Sequence, residues 1–227
     1  NFGLALIYLK RALQQSGCPV CRCCAEHEAR YLKFLLWENV NDYQTRLHLV
    51  RSLGFCKVHS HQMLDMEREE YGMMLGNSII YESLIQLALH RLHDTQHLLA
   101  DQQTRGRWTQ RLWLQLGIGR SPRSWRRERY LEPEAPCRVC QLSDEAARHY
   151  SATLAEMLTM DECRMLYERS DGICLLHLRT MLHSATSDQG LNYILSHTEE
   201  RLARLRGQLE SLGDKYSVSH RHEPVTA

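Results

Sequence analysis

One spacing pattern, present twice, constrains this chain more than any other feature. Each half contains C-x-x-C, then a gap of 34 or 33 residues, then C-x-x-H. The eight residues are Cys18, Cys21, Cys56 and His59 in the first half, and Cys137, Cys140, Cys174 and His177 in the second. Two residues between ligands let one turn of backbone present both side chains to the same ion, as in tetrahedral Cys₃His sites. Because each half holds a complete set, we expect one metal site within each half.

The similarity between the halves extends beyond these eight residues. A shift of 119, falling to 118 after one deletion, aligns roughly 75 residues of each half. The aligned pairs include Glu26 with Glu145, Arg51 with Arg169, Gly54 with Gly172, and Glu82 with Glu200. The shift therefore predicts one structural unit that is present twice.

Four further residues with ligand chemistry have no equivalent in the other half. They are Cys23, Cys24, Cys163 and His61, which we interpret as buried or incidental thiols and a surface histidine. His90, His93 and His97 are also unmatched, and we interpret them as a polar stripe on a solvated helix face.

The distribution of proline and glycine favours helices throughout. No proline lies between Val20 and Ser121 or between Cys137 and Glu223, and such stretches are typical of helical chains. Asp42 is expected to cap a helix that Gly54 ends, and the next helix should begin near Cys56. The predicted fold class is all-α, a tandem duplication of a helical module, each copy with a Cys₃His metal site.

The repeat also predicts the domain organisation. The first metal-binding helical module spans residues 1–103, an Arg/Trp-rich linker spans 104–134, the second module spans 135–216, and 217–227 form a disordered tail. Between Arg105 and Arg129 there are eight arginines and one acid, a charge of +7, so the rest of the chain carries 1 − 7 = −6.

Arginine with interleaved tryptophan can neutralise phosphates and stack on bases, and it can equally dock on an acidic protein surface. The candidate partner-binding residues are Arg105, Arg107, Trp108, Arg111, Trp113, Trp125, Arg126 and Arg127. We expect a protein partner or the chain's own modules here, with nucleic acid as the alternative for residues 105–129.

The ligand pattern indicates a metal more strongly than it identifies one. Two structural Zn²⁺ ions per chain are the preferred interpretation, because four protein ligands close a tetrahedral site. Two iron–sulfur clusters are the alternative, since three thiolates and an imidazole also suit them. A redox dithiol at either C-x-x-C is a third hypothesis.

Some charged residues close to the ligands in sequence occur in both halves, which suggests that they support the metal sites. Glu26, Glu145, Arg51 and Arg169 are predicted to form ion pairs or to orient ligand side chains. The competing hypothesis is an enzyme that uses Glu26 or Glu145 as an acid–base group beside the metal. Because no activated nucleophile accompanies these acids, a non-catalytic role is preferred.

Several stretches also match a known pattern. They are Cys18-Pro19-Val20-Cys21, the run from Leu35 to Asp42, and Gly54-Phe55-Cys56-Lys57-Val58-His59. With these stretches the chain resembles an uncharacterised prokaryotic protein family that has paired CPxC and GFCxxH modules. The second half departs from the pattern at Arg138 and Ile173. The resemblance implies tandem modules and the same eight ligands, and it implies no activity.

Composition narrows the class of function. The formal charge is +1, which argues against a globally basic nucleic-acid binder. The sequence contains no run of eighteen apolar residues, so it predicts no membrane-spanning helix. An odd number of cysteines, nine in all, and no export signal argue for a cytoplasmic protein rather than a disulfide framework. We predict a zinc-binding helical interaction or regulatory protein without catalytic activity, with an iron–sulfur electron-transfer protein as the alternative. The sequence does not predict an oligomeric state.

Overall fold

The computed structural model of the chain describes residues 2–115 and 132–215, with the backbone alone for residues 2, 98–115 and 215. The described residues form nine α-helices and no strands, so the predicted all-α class is confirmed. The helices are α1 (Phe2–Leu13), α2 (Pro19–Phe34), α3 (Tyr43–Ser52), α4 (Lys57–Met66), α5 (Leu75–Gln115), α6 (Arg138–Met157), α7 (Asp161–Arg169), α8 (Leu175–Ser184) and α9 (Asp188–Lys215). π-Helical turns extend α2 over Leu35–Asn39 and α4 over Glu67–Tyr71.

Three pairs of helices begin at the offsets that the sequence similarity predicts. α2 and α6 begin 119 residues apart, whereas α3 and α7, and α4 and α8, begin 118 residues apart. Asp42 caps α3 as expected, because its side chain accepts a hydrogen bond from the Thr45 backbone N–H at 2.8 Å. Both halves therefore order their helices in the same way from the first ligand pair to the second.

A left-handed turn precedes the second ligand pair of each half. Gly54 has φ of +99° and Gly172 has φ of +78°, conformations that glycine adopts without steric cost. The Gly54 N–H closes the end of α3 by donating to Leu49 O at 2.8 Å. The turn then sets Cys56 at the N-cap of α4, and the equivalent turn sets Cys174 at the N-cap of α8.

The described residues divide into two compact units that do not coincide with the halves of the sequence. We call residues 1–27 with 144–227 the terminal unit, and residues 28–143 the central unit. Helix α2 begins in the terminal unit and ends in the central unit, whereas α6 begins in the central unit and ends in the terminal unit. Each unit therefore contains a ligand pair from both halves.

Each unit has its own apolar core. The terminal core includes Leu9, Val20, Leu154, Met157, Leu158, Tyr167, Met181 and Ile194. The central core includes Leu32, Leu35, Leu49, Met63, Ile80 and Val139. Cys23, Cys24 and Cys163 are 2%, 6% and 0% exposed in the terminal core, which agrees with their interpretation as buried thiols. His61 is exposed, as expected for a surface histidine.

Part of the predicted linker is helical, since α5 continues to Gln115. The candidate partner-binding residues Arg105, Arg107, Trp108, Arg111 and Trp113 lie on this helix, and their side chains are outside the described structure. Trp125, Arg126 and Arg127 lie outside the described residues, as does the predicted tail at 217–227. Among the helices that are described, none combines the length and apolar character needed to cross a membrane.

Helix α9 approaches α6 through Gly190. A Cβ atom on Gly190 would lie 1.8 Å from the carbonyl oxygen of Ala155, so no side chain fits here without moving a backbone. Gly207 lies on the same helix with nothing within 4 Å of its Cβ position. Gly190 is therefore tightly packed and Gly207 is open to solvent, although both lie on the same helix.

Gly190→Ala is expected to lower the free energy of unfolding by about 2 kcal/mol, because α9 must move away from α6. Gly207→Ala is the matched control, and it should leave stability unchanged or raise it by up to about 1 kcal/mol through helix propensity. Urea unfolding of both metal-loaded variants measures the difference. Equal stabilities would show that α9 does not pack against α6 through Gly190.

Candidate metal centres

The eight ligand candidates converge into two groups of four. The terminal site consists of Cys18, Cys21, Cys174 and His177, and the central site consists of Cys56, His59, Cys137 and Cys140. Within each group all ligand atoms lie within 4.8 Å of one another. The expectation of one site within each half is wrong, because each site joins the C-x-x-C of one half to the C-x-x-H of the other.

Helix length explains this exchange. α2 has 16 residues and runs about 24 Å away from its first ligand pair before its π-helical extension, whereas α3 has 10 residues and returns at most about 15 Å. The left-handed turn at Leu53 and Gly54 is compact and adds little length. The second half repeats the mismatch, with 20 residues in α6 and nine in α7. These unequal helix lengths disfavour a site that joins the C-x-x-C and the C-x-x-H of the same half.

All four ligand pairs lie at helix N-termini. Cys18 and Cys137 immediately precede α2 and α6, and their carbonyl groups accept the first-turn N–H of Arg22 and Gln141. Cys56 and Cys174 are the N-cap residues of α4 and α8. Each site therefore lies where two helix N-termini meet, and their partial positive charges favour thiolates there.

In the terminal site, the imidazole faces three sulfur atoms. His177 Nδ1 lies 3.2 Å from the Sγ atoms of Cys21 and Cys174 and 3.7 Å from that of Cys18. The Cys21 and Cys174 sulfurs are 3.7 Å apart. The Gly17 N–H also donates to Asp171 Oδ2 at 2.6 Å, which links the two loops that carry the cysteines. The loops are thus held together by the protein as well as by their ligands.

The central site has nearly the same dimensions. His59 Nδ1 lies 3.1, 3.7 and 3.4 Å from the Sγ atoms of Cys56, Cys137 and Cys140. The Cys140 and Cys56 sulfurs are 3.6 Å apart. Here the link between loops is made by the N–H groups of Glu134 and Ala135, which donate to Arg51 O at 2.7 and 3.2 Å.

These spacings match the edges of a tetrahedron around one ion. A metal with sulfur at about 2.3 Å and nitrogen at about 2.0 Å places its ligand sulfurs about 3.8 Å apart and sulfur and nitrogen about 3.5 Å apart. The Cys21–Cys174 and Cys56–Cys140 sulfurs are 3.7 and 3.6 Å apart, all ligand atoms of a site lie within 4.8 Å of one another, and the sulfur–nitrogen distances run from 3.1 to 3.7 Å. The residues present therefore fit a single four-coordinate ion at each site.

Burial changes the protonation of these ligands. It raises the pKa of the Cys18 thiol and, with the charge of Cys18, that of Cys21. Burial and the hydrogen bond to Cys56 raise the pKa of Cys140 to about 12. Burial opposes ionisation at Cys56 too, but the His59 backbone N–H and the Cys140 thiol outweigh it and lower the pKa of Cys56. A bound cation would offset the cost of holding the three thiolates together.

Burial acts on one ligand histidine, and a carboxylate lies close to the other. Burial lowers the pKa of His177, which favours the neutral imidazole. His59 is 6% exposed, and its second nitrogen, Nε2, lies 3.6 Å from Glu28 Oε2. A carboxylate behind a ligand histidine fixes the ring orientation and increases the basicity of the ligand nitrogen. Glu28 therefore lies behind His59 at a separation longer than a direct hydrogen bond.

The sequence comparison of the two halves missed Glu28, because the shift of 119 aligns it with Ala147. Among the residues that were predicted to give support, Glu26 contacts Arg11. Glu145 is exposed, as are Arg51 and Arg169, and Arg51 contributes its carbonyl group to the central site's loop link. Roles for these four side chains at the sites stay predictions.

The histidines on α5 are separate from both sites. His93 Nε2 lies 3.1 Å from His97 Nε2, and His90 Nε2 lies 3.6 Å from Asp94 Oδ2. All three imidazoles are exposed, as expected for a polar helix face.

A protein-family model matches residues 4–227, and the family it describes is "Family of unknown function (DUF6062)". No curated protein and no solved structure matches the chain. The suspected resemblance to an uncharacterised family is confirmed by this match.

Double substitutions test which residues share an ion. Cys21→Ser with Cys174→Ser removes two ligands of the terminal site, so this protein should retain one bound metal per chain. Cys21→Ser with Cys56→Ser removes one ligand from each site, so both sites should lose affinity and the chain should retain less than one metal. Cobalt titration, followed through the thiolate charge-transfer and ligand-field bands, measures the stoichiometry.

The two double variants change the same number of cysteines, so each is the control for the other. Pairing within each half predicts the opposite result, with one metal in the Cys21/Cys56 variant and less than one in the Cys21/Cys174 variant. That reversed order would contradict the pairing described above.

Proposed function

The chain belongs to DUF6062, a family of unknown function, and we propose that it is a zinc-stapled helical protein that acts through interaction or regulation rather than catalysis. The observation that carries the proposal is the convergence of three thiols and one imidazole at each of two sites. Four protein ligands complete a tetrahedral shell and leave no position for a substrate or a reactive water. Such a site would stabilise the folded chain and would not catalyse a reaction.

Zinc is supported by the spacing of the ligand atoms. An iron–sulfur cluster spreads its protein ligands over several iron atoms, so these ligands lie farther apart than ligands that share one ion. Sulfur pairs at 3.6 and 3.7 Å suit one ion. Three thiolates with Zn²⁺ carry a net charge of −1, which the two helix N-termini at each site would partly offset.

The proposed ions would staple distant parts of the chain. In the terminal site, Cys21 and Cys174 are 153 residues apart, and in the central site Cys56 and Cys140 are 84 residues apart. Closing a loop of about 100 residues removes unfolded-state entropy worth on the order of 4–5 kcal/mol in the chain-entropy model of a cross-link. The segment closed by the central site lies within the segment closed by the terminal site, so both ions would restrict the same unfolded chain.

An interaction role is supported by apolar side chains outside the cores. Trp37, Val58 and Leu176 are 73%, 69% and 68% exposed. We propose a protein partner, with nucleic acid as the alternative partner for residues 105–129. We also propose that the protein is cytoplasmic, because nine cysteines without a disulfide are typical of a reducing compartment.

Elemental analysis of protein purified without oxygen and without added metal tests the proposed zinc. We expect a colourless protein with about two zinc ions per chain, one for each four-ligand site. Removal of zinc by a strong chelator should lower the thermal midpoint, and readdition of zinc should restore it, because binding to the folded state stabilises that state.

Magnesium readdition is the control, since hard oxygen-seeking cations bind thiolate sites poorly. Brown protein that contains iron and sulfide would contradict the zinc proposal and support the iron–sulfur alternative. A thermal midpoint that does not change when zinc is removed would contradict the staple.

A further inference from the structure

Helix α9 carries leucines at the spacing of a coiled-coil seam. Six positions separated by 3, 4, 3, 4 and 3 residues are Leu195, Thr198, Leu202, Leu205, Leu209 and Leu212. This is the a/d repeat of two helices that pack side by side. Five of the six positions are leucine, a residue that packs well at such a seam.

The terminal unit buries one seam residue, Thr198, and leaves the five leucines exposed. Ile194 and Thr198 are 0% and 9% exposed, so the first part of α9 packs on the terminal unit. Leu205, Leu209 and Leu212 are 48%, 58% and 39% exposed. The apolar stripe thus continues along α9 beyond the region that its own unit buries, and an uncovered stripe of this kind marks an interaction surface.

An open apolar groove of about 520 Å³ runs beside the same stripe, between α8 and α9. Its apolar lining includes Leu175, Leu178, Leu195 and Leu202. Glu199 and Arg206 lie along the groove, in the e positions that flank the seam. The groove therefore offers an apolar floor and two opposite charges to a second helix.

Glu199 and Arg206 favour a second α9 helix as the partner and favour one orientation of that helix. In an antiparallel pair of α9 helices, Glu199 of each copy faces Arg206 of the other, which gives two attractive contacts related by the two-fold axis. In a parallel pair, Arg206 of each copy would face the position of Arg201 in the other, whose guanidinium is held by the carbonyl groups of Glu168 and Ser170, so two positive charges would approach. α9 is thus complementary to itself in one orientation only.

We propose that α9 binds α9 of a second copy of this chain, antiparallel, to form a symmetric dimer. Leu202 then packs on Leu205 of the second copy and Leu195 packs on its Leu212, while Leu209 of the second copy lies against the groove that Thr198 lines. The last two leucines of the second copy cover the groove between α8 and α9. This inference is independent of the proposed metal, because none of the seam residues is a ligand candidate.

The other long helix lacks this seam. The shift of 118 places Asn77, Arg91 and Asp94 of α5 at the positions of Leu195, Leu209 and Leu212. Ile80, Leu84 and Leu87 occupy the other three positions, so polar residues interrupt the stripe at its start and at its end. The proposed interface is therefore a property of α9 and not of both halves.

Leu209→Glu is expected to weaken the dimer about 100-fold, because the two-fold axis removes two buried leucines and each is worth about a tenfold step. Leu209 is 58% exposed, so the substitution should leave the folded chain intact. Leu89→Glu on α5 is the matched control, since Leu89 is 61% exposed and lies outside the seam. Sedimentation equilibrium and light scattering, with circular dichroism to check helix content, give the dissociation constants.

Charge exchange tests the orientation. Glu199→Arg and Arg206→Glu should each weaken the dimer, and the double variant should restore it, because the attractive pairs re-form with reversed signs. Arg206 also pairs with Glu210 at 3.4 Å within α9, a contact exposed to solvent and therefore weak.

Three outcomes would overturn the proposal. The first is a wild-type chain that stays monomeric up to concentrations of about 100 µM, where even a weak dimer assembles; another part of the chain or a different protein would then cover the stripe. The second is equal weakening by Leu209→Glu and Leu89→Glu, which would place the interface elsewhere. The third is a tighter dimer in Arg206→Glu alone, which would indicate a parallel pair.

Discussion

The arrangement of this protein depends on thiols and imidazoles that meet at the N-termini of helices from opposite halves of the chain. Gathering three thiols in a partly buried space is unfavourable for the thiolates, and the raised pKa values of Cys18, Cys21 and Cys140 reflect that cost. Helix N-termini reduce the cost, and a cation would reduce it further. At both ligand sites, binding of a cation would therefore lower the repulsion between thiolates that the fold holds close together.

The exchange of ligands between halves follows from the length of the helices that carry them. Helix α2 runs about 24 Å away from its C-x-x-C pair, and the shorter helix α3, at about 15 Å, does not span that distance back. The other half supplies the missing C-x-x-H, and α2 and α6 each belong to both compact units. Each compact unit therefore contains residues from both halves of the sequence, and each has its own core and its own group of four ligand candidates.

Much of the local structure could be predicted from the sequence, because it depends on short-range chemistry. The cap at Asp42, the left-handed Gly54 and the helix start at Cys56 each follow from the properties of one or two residues. The grouping of ligands could not be predicted from spacing, because both halves carry the same four residues and either pairing completes two sites. Glu28 was missed because it lies beside one site only, whereas the comparison of halves finds residues that both halves share.

X-ray absorption at the zinc edge of the purified protein tests the central claim most directly, since it reports the atoms bound to the ion. We predict an average shell of three sulfurs at about 2.3 Å and one nitrogen at about 2.0 Å per zinc, with imidazole scattering beyond it. A shell that contains water or carboxylate oxygen, or fewer than three sulfurs per ion, would contradict closed Cys₃His sites.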